Sequence, residues 1–512
     1  MPKIDLKKAE KIYFIGIGGI GMSAVARMFL IEHKEVFGSD LSSSEVTNEL
    51  EKLGAKIRIG EPSEKRQNDG FLGNGLPAGI DLVVYTVAIP ENHPELVDAR
   101  NKKIATISYP ETLGLISKDK FTIAVAGTHG KTTTTGMIAQ ILIEAGLDPT
   151  VIIGSFLVNQ KRNDEKRDDE QDEQEGGRQS TGQKSNFIAG KSKYLVVEAC
   201  EYKRSFLNLK PDVAVITNID DDHLDYYKNL AGVQTGFRDF VGQVKSGGTI
   251  VTDVDNEKIR PVLKGLDNPK SQKNANNIGN NLDKNITKIQ NVIDYNSIGS
   301  GSNSNDGEKI TLKIPGRHNI QNAKAALAVA LALGVPEEKA IKSLGNFSGT
   351  WRRFEEKGKM ANGALVYDDY AHHPSEIAAT LQAAREKFPK EKIIVAFQPH
   401  LYSRTKEHFD EFGPALALAD EIIILPIYAA REPIDASVSS EILTEEIKKE
   451  LSLAQNLQSA QNPQLKGKTQ KVSFSKDFES AGEYLKKHLK PGDVLFTMGA
   501  GDIAKLAGMT LS

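Results

Sequence analysis

The stretch Gly127-Thr128-His129-Gly130-Lys131-Thr132-Thr133 carries the most specific chemistry in the chain. It lies between an apolar run, Phe121–Ala126, that reads as a strand and a segment from Lys131 to Glu144 that reads as a helix. Backbone N–H groups in such a turn, aided by the positive end of the helix dipole, bind phosphate. Lys131 can reach β- and γ-phosphates, and the Thr132 hydroxyl can ligate Mg²⁺. Val125 rather than glycine stands five positions before Gly130, so this is a shortened form of the G-x-x-x-x-G-K-[ST] loop. The chemistry it predicts is nucleoside triphosphate binding.

A second glycine turn, Gly16-Ile17-Gly18-Gly19-Ile20-Gly21, follows the first apolar strand and opens a helix. Asp40 stands at the end of the next strand, where a ribose-binding carboxylate lies in dinucleotide folds. A glycine turn with a sugar-binding Asp suits any nucleotide diphosphate, not NAD alone. A dehydrogenase needs only this turn and a simple ATPase only the other. Together they predict an ATP-driven reaction on a nucleotide-linked substrate.

Further polar clusters follow strand ends, where open α/β sheets bind ligands. Glu198 and Glu201 follow one strand, and Asp220-Asp221-Asp222-His223 follows another. Near Lys131 these groups can hold a divalent cation. Trp351-Arg352-Arg353-Phe354 offers guanidinium groups for phosphate. Asp368-Asp369-Tyr370-Ala371-His372-His373-Pro374 and Gln398-Pro399-His400-Leu401-Tyr402-Ser403-Arg404 complete the set. Their histidines read as positioning donors, because no third ligand stands at metal spacing. Cys200 reads as a small buried residue rather than a nucleophile.

These residues need rigid elements to hold them. Apolar runs such as Ile12–Ile17, Val36–Ser39, Leu82–Thr86, Val213–Thr217 and Ile393–Phe397 alternate with helical patterns. That rhythm predicts an α/β fold of parallel sheets flanked by helices. The 512 residues suggest about three such domains. The expected boundaries are 1–118, 119–348 and 349–512. Three polar stretches, Asn159–Asn186, Asn268–Glu308 and Gln455–Lys468, read as surface insertions, too poor in apolar residues to offset ordering entropy.

The net charge is −3, from 65 basic and 68 acidic residues, so nothing draws the chain generally toward nucleic acid or anionic lipid. A single cysteine excludes an intramolecular disulfide framework. Met1–Glu10 lacks the apolar core of a signal peptide, and no apolar run approaches the ~20 residues of a membrane span. The expected location is the cytoplasm.

The set Gly127–Thr135, Asp222-His223-Leu224-Asp225, Gly316-Arg317-His318-Asn319 with Asn322, and Arg352-Arg353-Phe354 resembles the Mur ligases. These are the ATP-dependent amide-forming enzymes of peptidoglycan assembly. Gly16–Ser23, Glu198–Phe206, Asp368–Pro374 and Phe397–Arg404 extend the likeness over nearly the whole chain. The resemblance implies a UDP-binding Rossmann-like domain, a central P-loop ATPase-like domain and a C-terminal Rossmann-like domain. It implies ligation of L-alanine to the carboxylate of UDP-N-acetylmuramate through an acyl phosphate, with ATP and Mg²⁺, by a monomer or weak homodimer.

The same resemblance implies roles. Gly127, Thr128, His129, Gly130, Lys131, Thr132 and Thr133 hold the phosphates, and Asn319 and Asn322 contact the adenine side. Thr132 and Glu201 ligate one cation, and His223 helps hold a second. Arg352 or Arg353 reaches the γ-phosphate, and Asp368 or Asp369 meets the ATP ribose. His372 and Arg404 lie near the amino acid, and His129 faces the muramyl carboxylate. Gly16, Gly18, Gly19, Gly21, Met22, Ser23 and Asp40 cradle UDP. Rival readings are a tripeptide-adding or folate-directed member of the superfamily, an NAD-dependent oxidoreductase and a non-catalytic nucleotide binder. The oxidoreductase leaves Lys131 unexplained.

Overall fold

The computed structural model describes residues 4–60, 75–158, 184–266, 291–298, 310–430, 432–461 and 470–511. The chain divides into two compact units, Met1–Thr311 with Gln321–Asn346, and Leu312–Ile320 with Phe347–Ser512. The first unit holds two sheets and the second holds one.

The first sheet comprises β1 (Lys11–Ile15), β2 (Glu35–Asp40), β3 (Lys56–Ile59), β4 (Leu82–Tyr85) and β5 (Ala105–Ser108), all parallel, in the order β3-β2-β1-β4-β5. Strand order reverses at β1, and the Gly16 turn leaves from its carboxyl end, where such sheets open a crevice. Helix Pro94–Asn101 covers one face, burying Leu96 and Ala99 against Tyr13, Ile15 and Val83.

The second sheet comprises β6 (Phe121–Ala126), β7 (Thr150–Val158), β8 (Lys184–Ile188), β9 (Tyr194–Glu198), β10 (Val213–Ile216), β11 (Thr249–Thr252) and β12 (Asn291–Asp294). Its order is β12-β11-β10-β6-β9-β7-β8, with only β8 antiparallel to its neighbour. Order reverses at β6, so the Gly127 loop, Glu198 and the Asp220 loop all leave one edge of adjacent strands.

Two polar stretches read as surface insertions contain strands among their described residues. In 159–186 the last residues begin β8, where Ser185 and Asn186 are fully buried. Asn186 Nδ2 donates to the Ile20 carbonyl at 2.6 Å and to Ser23 Oγ at 2.8 Å, tying β8 to helix Ile20–Ile31 beside the first sheet. In 268–308, β12 pairs in parallel with β11, and the Tyr295 hydroxyl donates to the Thr217 carbonyl at 2.8 Å. Their Asn, Ser and Asp side chains mask the strand signal, and pairing with a neighbour overrides local propensity. Residues 159–183, 267–290 and 299–309 lie outside the described residues.

The third sheet comprises β13 (Glu355–Lys359), β14 (Leu365–Asp369), β15 (Ile393–Phe397), β16 (Glu421–Ile424), β17 (Lys471–Phe474) and β18 (Val494–Met498), in the order β13-β14-β18-β15-β16-β17. β13 alone is antiparallel to its neighbour, a charged edge strand. Helix Ser440–Gln461 runs into the stretch 455–468, which was expected to be an insertion; residues 462–469 lie outside the described residues.

One buried polar network braces the first sheet. Glu95, on helix Pro94–Asn101, pairs with Arg58 of β3 and accepts from the Tyr13 hydroxyl at 2.8 Å and Ser39 Oγ at 2.6 Å. Removing one partner of a buried ion pair costs about 3–5 kcal/mol. Glu95→Ala should therefore lower the thermal unfolding midpoint markedly, and Glu95→Gln less so, read by circular dichroism. A Glu95→Ala melt matching the unsubstituted protein would show that the network adds nothing.

Candidate active site

The loop after β6 needs its glycines for two reasons. Gly127 and Gly130 hold φ of +139° and +80°, backbone that favours glycine. A Cβ at Gly127 would lie 2.0 Å from Thr217 Oγ1, and one at Gly130 would lie 2.4 Å from Asn322 Oδ1. Asn322 thus packs on the loop itself. The loop after β10 fixes the other side. Thr128 N–H donates to the Asn218 carbonyl at 3.1 Å, and His129 N–H to Asn218 Oδ1 at 2.9 Å. The His129 carbonyl accepts from Thr217 Oγ1 at 2.6 Å and Asn218 Nδ2 at 3.0 Å. Asn218 was not among the expected site residues; its place just past β10, on the edge shared with Lys131, was the available signal.

Lys131 Nζ donates to the carbonyls of Gly127 at 2.5 Å and Thr128 at 2.9 Å, and to Glu201 Oε1 at 2.9 Å. Burial alone would lower its pKa, but Glu201, with Cys200 and Glu198, outweighs burial and raises it. The Thr132 hydroxyl, expected to share a cation with Glu201, donates instead to Glu198 Oε1 at 3.1 Å. Glu198 Oε2 accepts from Gly154 N–H at 2.8 Å. Two carboxylates therefore flank the lysine, one at Thr132 and one at His223.

Glu201 Oε1 lies 3.7 Å from His223 Nε2. Glu201, Asp222 and His223 can each offer a ligand atom, all within 4.8 Å of one another. The second oxygen, Glu201 Oε2, is buried with no hydrogen-bond partner among the described residues. A buried bare carboxylate oxygen beside a second carboxylate and an imidazole fits a divalent cation. Asp222 belongs to the Asp-rich loop expected to be able to hold a cation, although the resemblance implied only Thr132, Glu201 and His223 as ligands. His223 sits at φ +56°, as do Lys203 at +50° and Arg204 at +58°, so the backbone around this cluster is strained.

The His129 ring, expected to face the substrate carboxylate, lies 3.7 Å from Asp220 Oδ2. That imidazole first, then the Lys258 ammonium, holds the Asp220 carboxyl well below its ordinary range. Lys258 carried no motif and was not anticipated.

At the first sheet, Gly16 takes φ +80° and Gly18 N–H donates to Asp40 Oδ2 at 2.8 Å. Asp40 thus braces the turn with one oxygen. Met22 and Ser23 were expected to cradle the ligand, but their side chains are buried. Ser23 Oγ donates to the Ile20 carbonyl at 2.9 Å and accepts from Asn186. Backbone groups, with Gly19 and Gly21, are what this turn offers outward.

In the second unit Arg352 and Asp368 are committed to each other. Arg352 Nε donates to Asp368 Oδ2 at 2.7 Å, and its other nitrogens donate to the carbonyls of Gly501 at 2.9 Å and Gly499 at 2.6 Å. Asp368 is fully buried and also accepts from Thr497 Oγ1 at 2.6 Å. An open phosphate or ribose contact from this pair would mean breaking it. Asp369 accepts from the N–H groups of Phe354 and Ala371, each at 2.8 Å. Burial nevertheless pushes its carboxyl up to about 6. Arg353 is partly exposed, 3.7 Å from Glu376 and over the Tyr370 ring. His372 lies 3.2 Å from Glu376, its ring 5.8 Å from that of His400, and Arg404 meets His400 Nδ1 at 3.0 Å. His372, His400 and Arg404 are thus brought together. Asn319 Nδ2 donates to the Pro315 carbonyl at 2.6 Å.

Three parallel-sheet α/β assemblies with a P-loop between two carboxylates define a nucleotide-dependent ligase class, and the chain belongs to the Mur ligase family. Residues 11–121 match the model described as Mur ligase family, catalytic domain; 125–330 match the Mur ligase middle domain; 352–501 match the Mur ligase, glutamate ligase domain. The UDP-N-acetylmuramate--L-alanine ligase of Clostridium acetobutylicum is 40% identical over 520 residues, covering 99% of each chain. That of Caldanaerobacter subterraneus subsp. tengcongensis is 42% identical, covering 98% of this chain and 97% of the relative. The crystal structure of UDP-N-acetylmuramate-alanine ligase from Thermotoga maritima superposes with a TM-score of 0.68 at 26% identity, covering 97% of each chain.

Cys200 is exposed, not buried as its size suggested. Although part of the residue reaches solvent, desolvation by the surrounding fold, and then the Glu201 carboxylate, push the thiol up to about 12. The thiolate is the reactive form, so Cys200 should react with iodoacetamide at pH 8 at least about tenfold more slowly than free cysteine. Glu201→Gln should narrow the gap. Alkylation at the free rate, followed by mass spectrometry, would overturn this account.

Proposed function

We propose that the chain joins L-alanine to the carboxylate of UDP-N-acetylmuramate, converting ATP to ADP and phosphate, in cytoplasmic peptidoglycan synthesis. The observation that carries the reading is the Lys131 loop flanked by Glu198 and by the Glu201–Asp222–His223 cluster. Full-length relatives bearing that activity in their names support it.

A carboxylate is a poor electrophile, and phosphoryl transfer from ATP makes it a good one. The substrate carboxylate oxygen attacks the γ-phosphorus, the bond to the β-phosphate oxygen breaks, and ADP leaves. The alanine amine then attacks the acyl carbon, and phosphate departs as the amide forms. Little covalent work falls to the protein, so positioning and charge neutralisation supply the rate. N–H groups of Gly127–Lys131 and the raised-pKa Lys131 take the phosphate charge. Thr132 with Glu198, and Glu201 with Asp222 and His223, would hold Mg²⁺, which screens the charge between ATP and an anionic attacker.

The remaining assignments follow exposure. Arg353 is the arginine for the γ-phosphate, since Arg352 is spent within its own unit. Asp369 serves the ribose, Asn319 and Asn322 the adenine side, and His372 with Arg404 the amino acid. The Gly16–Gly21 backbone and Asp40 take UDP. The active form is a monomer or weak homodimer.

Phosphate release should require ATP, magnesium, UDP-N-acetylmuramate and L-alanine together, with matching amide product. Release with a tripeptide but not with L-alanine would move the substrate to the peptide-adding reaction, and no release with either would remove the ligase reading. Lys131→Ala should lower turnover by at least about a hundredfold with circular dichroism unchanged. Near-full turnover in that variant would refute its phosphate role.

A further inference from the structure

Tyr109 stands where β5 ends and helix Tyr109–Ser117 begins. A Cβ on Gly21 would lie 2.5 Å from both Cζ and the hydroxyl oxygen of Tyr109. The phenol therefore rests on the first turn of helix Ile20–Ile31, the helix that the first glycine turn opens. The same side chain is near enough to Glu198 and Cys200 for their charges to act on it. One residue thus rests on the helix opened by the first glycine turn and lies within electrostatic range of Glu198, at the end of the strand beside the second.

The surrounding contacts fix that position. The helix begun by Tyr109 packs against Tyr202–Asn208, the segment just after Glu201; a Cβ on its Gly114 would lie 2.7 Å from the Asn208 carbonyl oxygen. Lys203 Nζ donates to the Val87 carbonyl at 3.3 Å. Val87 follows Thr86, whose methyl would lie 2.8 Å from a Cβ on Gly16. The carboxyl edges of the first and second sheets therefore meet along a seam, and Tyr109 sits in it, half-buried. Its hydroxyl makes no hydrogen bond among the described residues. A hydroxyl on a half-buried ring is thus open to a partner from outside the protein.

We infer that the Tyr109 hydroxyl is a substrate-binding group that donates to the carboxylate-bearing arm of the nucleotide sugar as it crosses from the Gly16 turn to Lys131. This rests on the ligase reading above. A substrate with its diphosphate at one turn and its carboxylate at the other must pass this seam. Burial first, then Glu198 and Cys200, push the phenol up, so at neutral pH it is a donor and not a phenolate. A neutral donor suits an anion entering a region that already holds two glutamates.

Calorimetric titration of the full chain tests this with UDP-N-acetylmuramate, with UDP-N-acetylglucosamine, which lacks the carboxylate arm, and with ATP. Tyr109→Phe keeps the ring over Gly21 and removes only the hydroxyl. It should weaken UDP-N-acetylmuramate binding about tenfold, as expected for one hydrogen bond to a charged group, and leave the other two within about twofold. The KM for UDP-N-acetylmuramate should rise in parallel while that for ATP holds. Unchanged affinity for UDP-N-acetylmuramate would overturn the assignment. Equal weakening of both sugars would place the hydroxyl on the shared diphosphate and overturn it too, as would loss of ATP affinity alone. Failure of the unsubstituted protein to bind UDP-N-acetylmuramate would instead bring down the ligase reading, and this inference with it.

Discussion

A protonated lysine held among carbonyls and carboxylates is the constraint around which the first unit is arranged. Lys131 needs partners to stay charged while buried, and it finds them in its own loop and in Glu201. Those partners leave adjacent strands, β6 and β9, and Asn218, from β10, pins the loop between them. A shift of any one strand would strand a buried charge, which costs several kcal/mol. The sheet order β10-β6-β9 is thus coupled to the chemistry of one ammonium group. The same arrangement stores the site's function. On the proposed reading, phosphate oxygens would offer the lysine acceptors like the Gly127 and Thr128 carbonyls, but with full negative charge.

The strand ends and glycine turns were legible in the sequence because they depend on local rules. A buried parallel strand reads as an apolar run, and a phosphate turn requires glycine and lysine at fixed places. The partners of those residues were less legible. Thr132 and Glu201 were expected to share a cation, with the roles of Glu198 and Glu201 left open, and the Thr132 hydroxyl bonds to Glu198, three residues before Glu201. Both glutamates follow β9, and no spacing rule says which one β7 holds in place through the Gly154 N–H. Asn218 and Lys258 were missed for a related reason. An asparagine after a strand reads as a turn residue, and a lone lysine reads as solvated surface. Only the packed structure gives them partners, in His129 and Asp220.

Polar residues misled in the opposite direction as well. Arg352 and Asp368 look like ligand groups in sequence, and the structure spends them on each other and on the carbonyls after β18. A guanidinium with three internal acceptors in a dry setting holds the Gly499–Gly501 loop against β14. Its neighbour Arg353, braced on Glu376, is the more exposed guanidinium of the two. Likewise, Asn186 sat in a run of charged and polar residues that argued for a solvated insertion. Its amide instead satisfies the Ile20 carbonyl and the Ser23 hydroxyl inside the unit. Composition averages over a window, whereas burial is decided residue by residue.

The seam between the first two sheets follows from the same logic. Helix Ile20–Ile31 lies against β7 and β8 as well as against its own sheet, so its buried face must satisfy two layers. Ser23 and Asn186 meet that demand with a hydrogen bond where an aliphatic pair would have sufficed for cohesion alone. A directional bond fixes register, whereas apolar contact permits sliding. On the proposed reading, register matters because the two glycine turns would present one extended substrate with its diphosphate and its carboxylate a set distance apart. That reading makes rigidity between the first two layers a requirement of the reaction, and the polar side chains in the seam are the means by which the sequence supplies it.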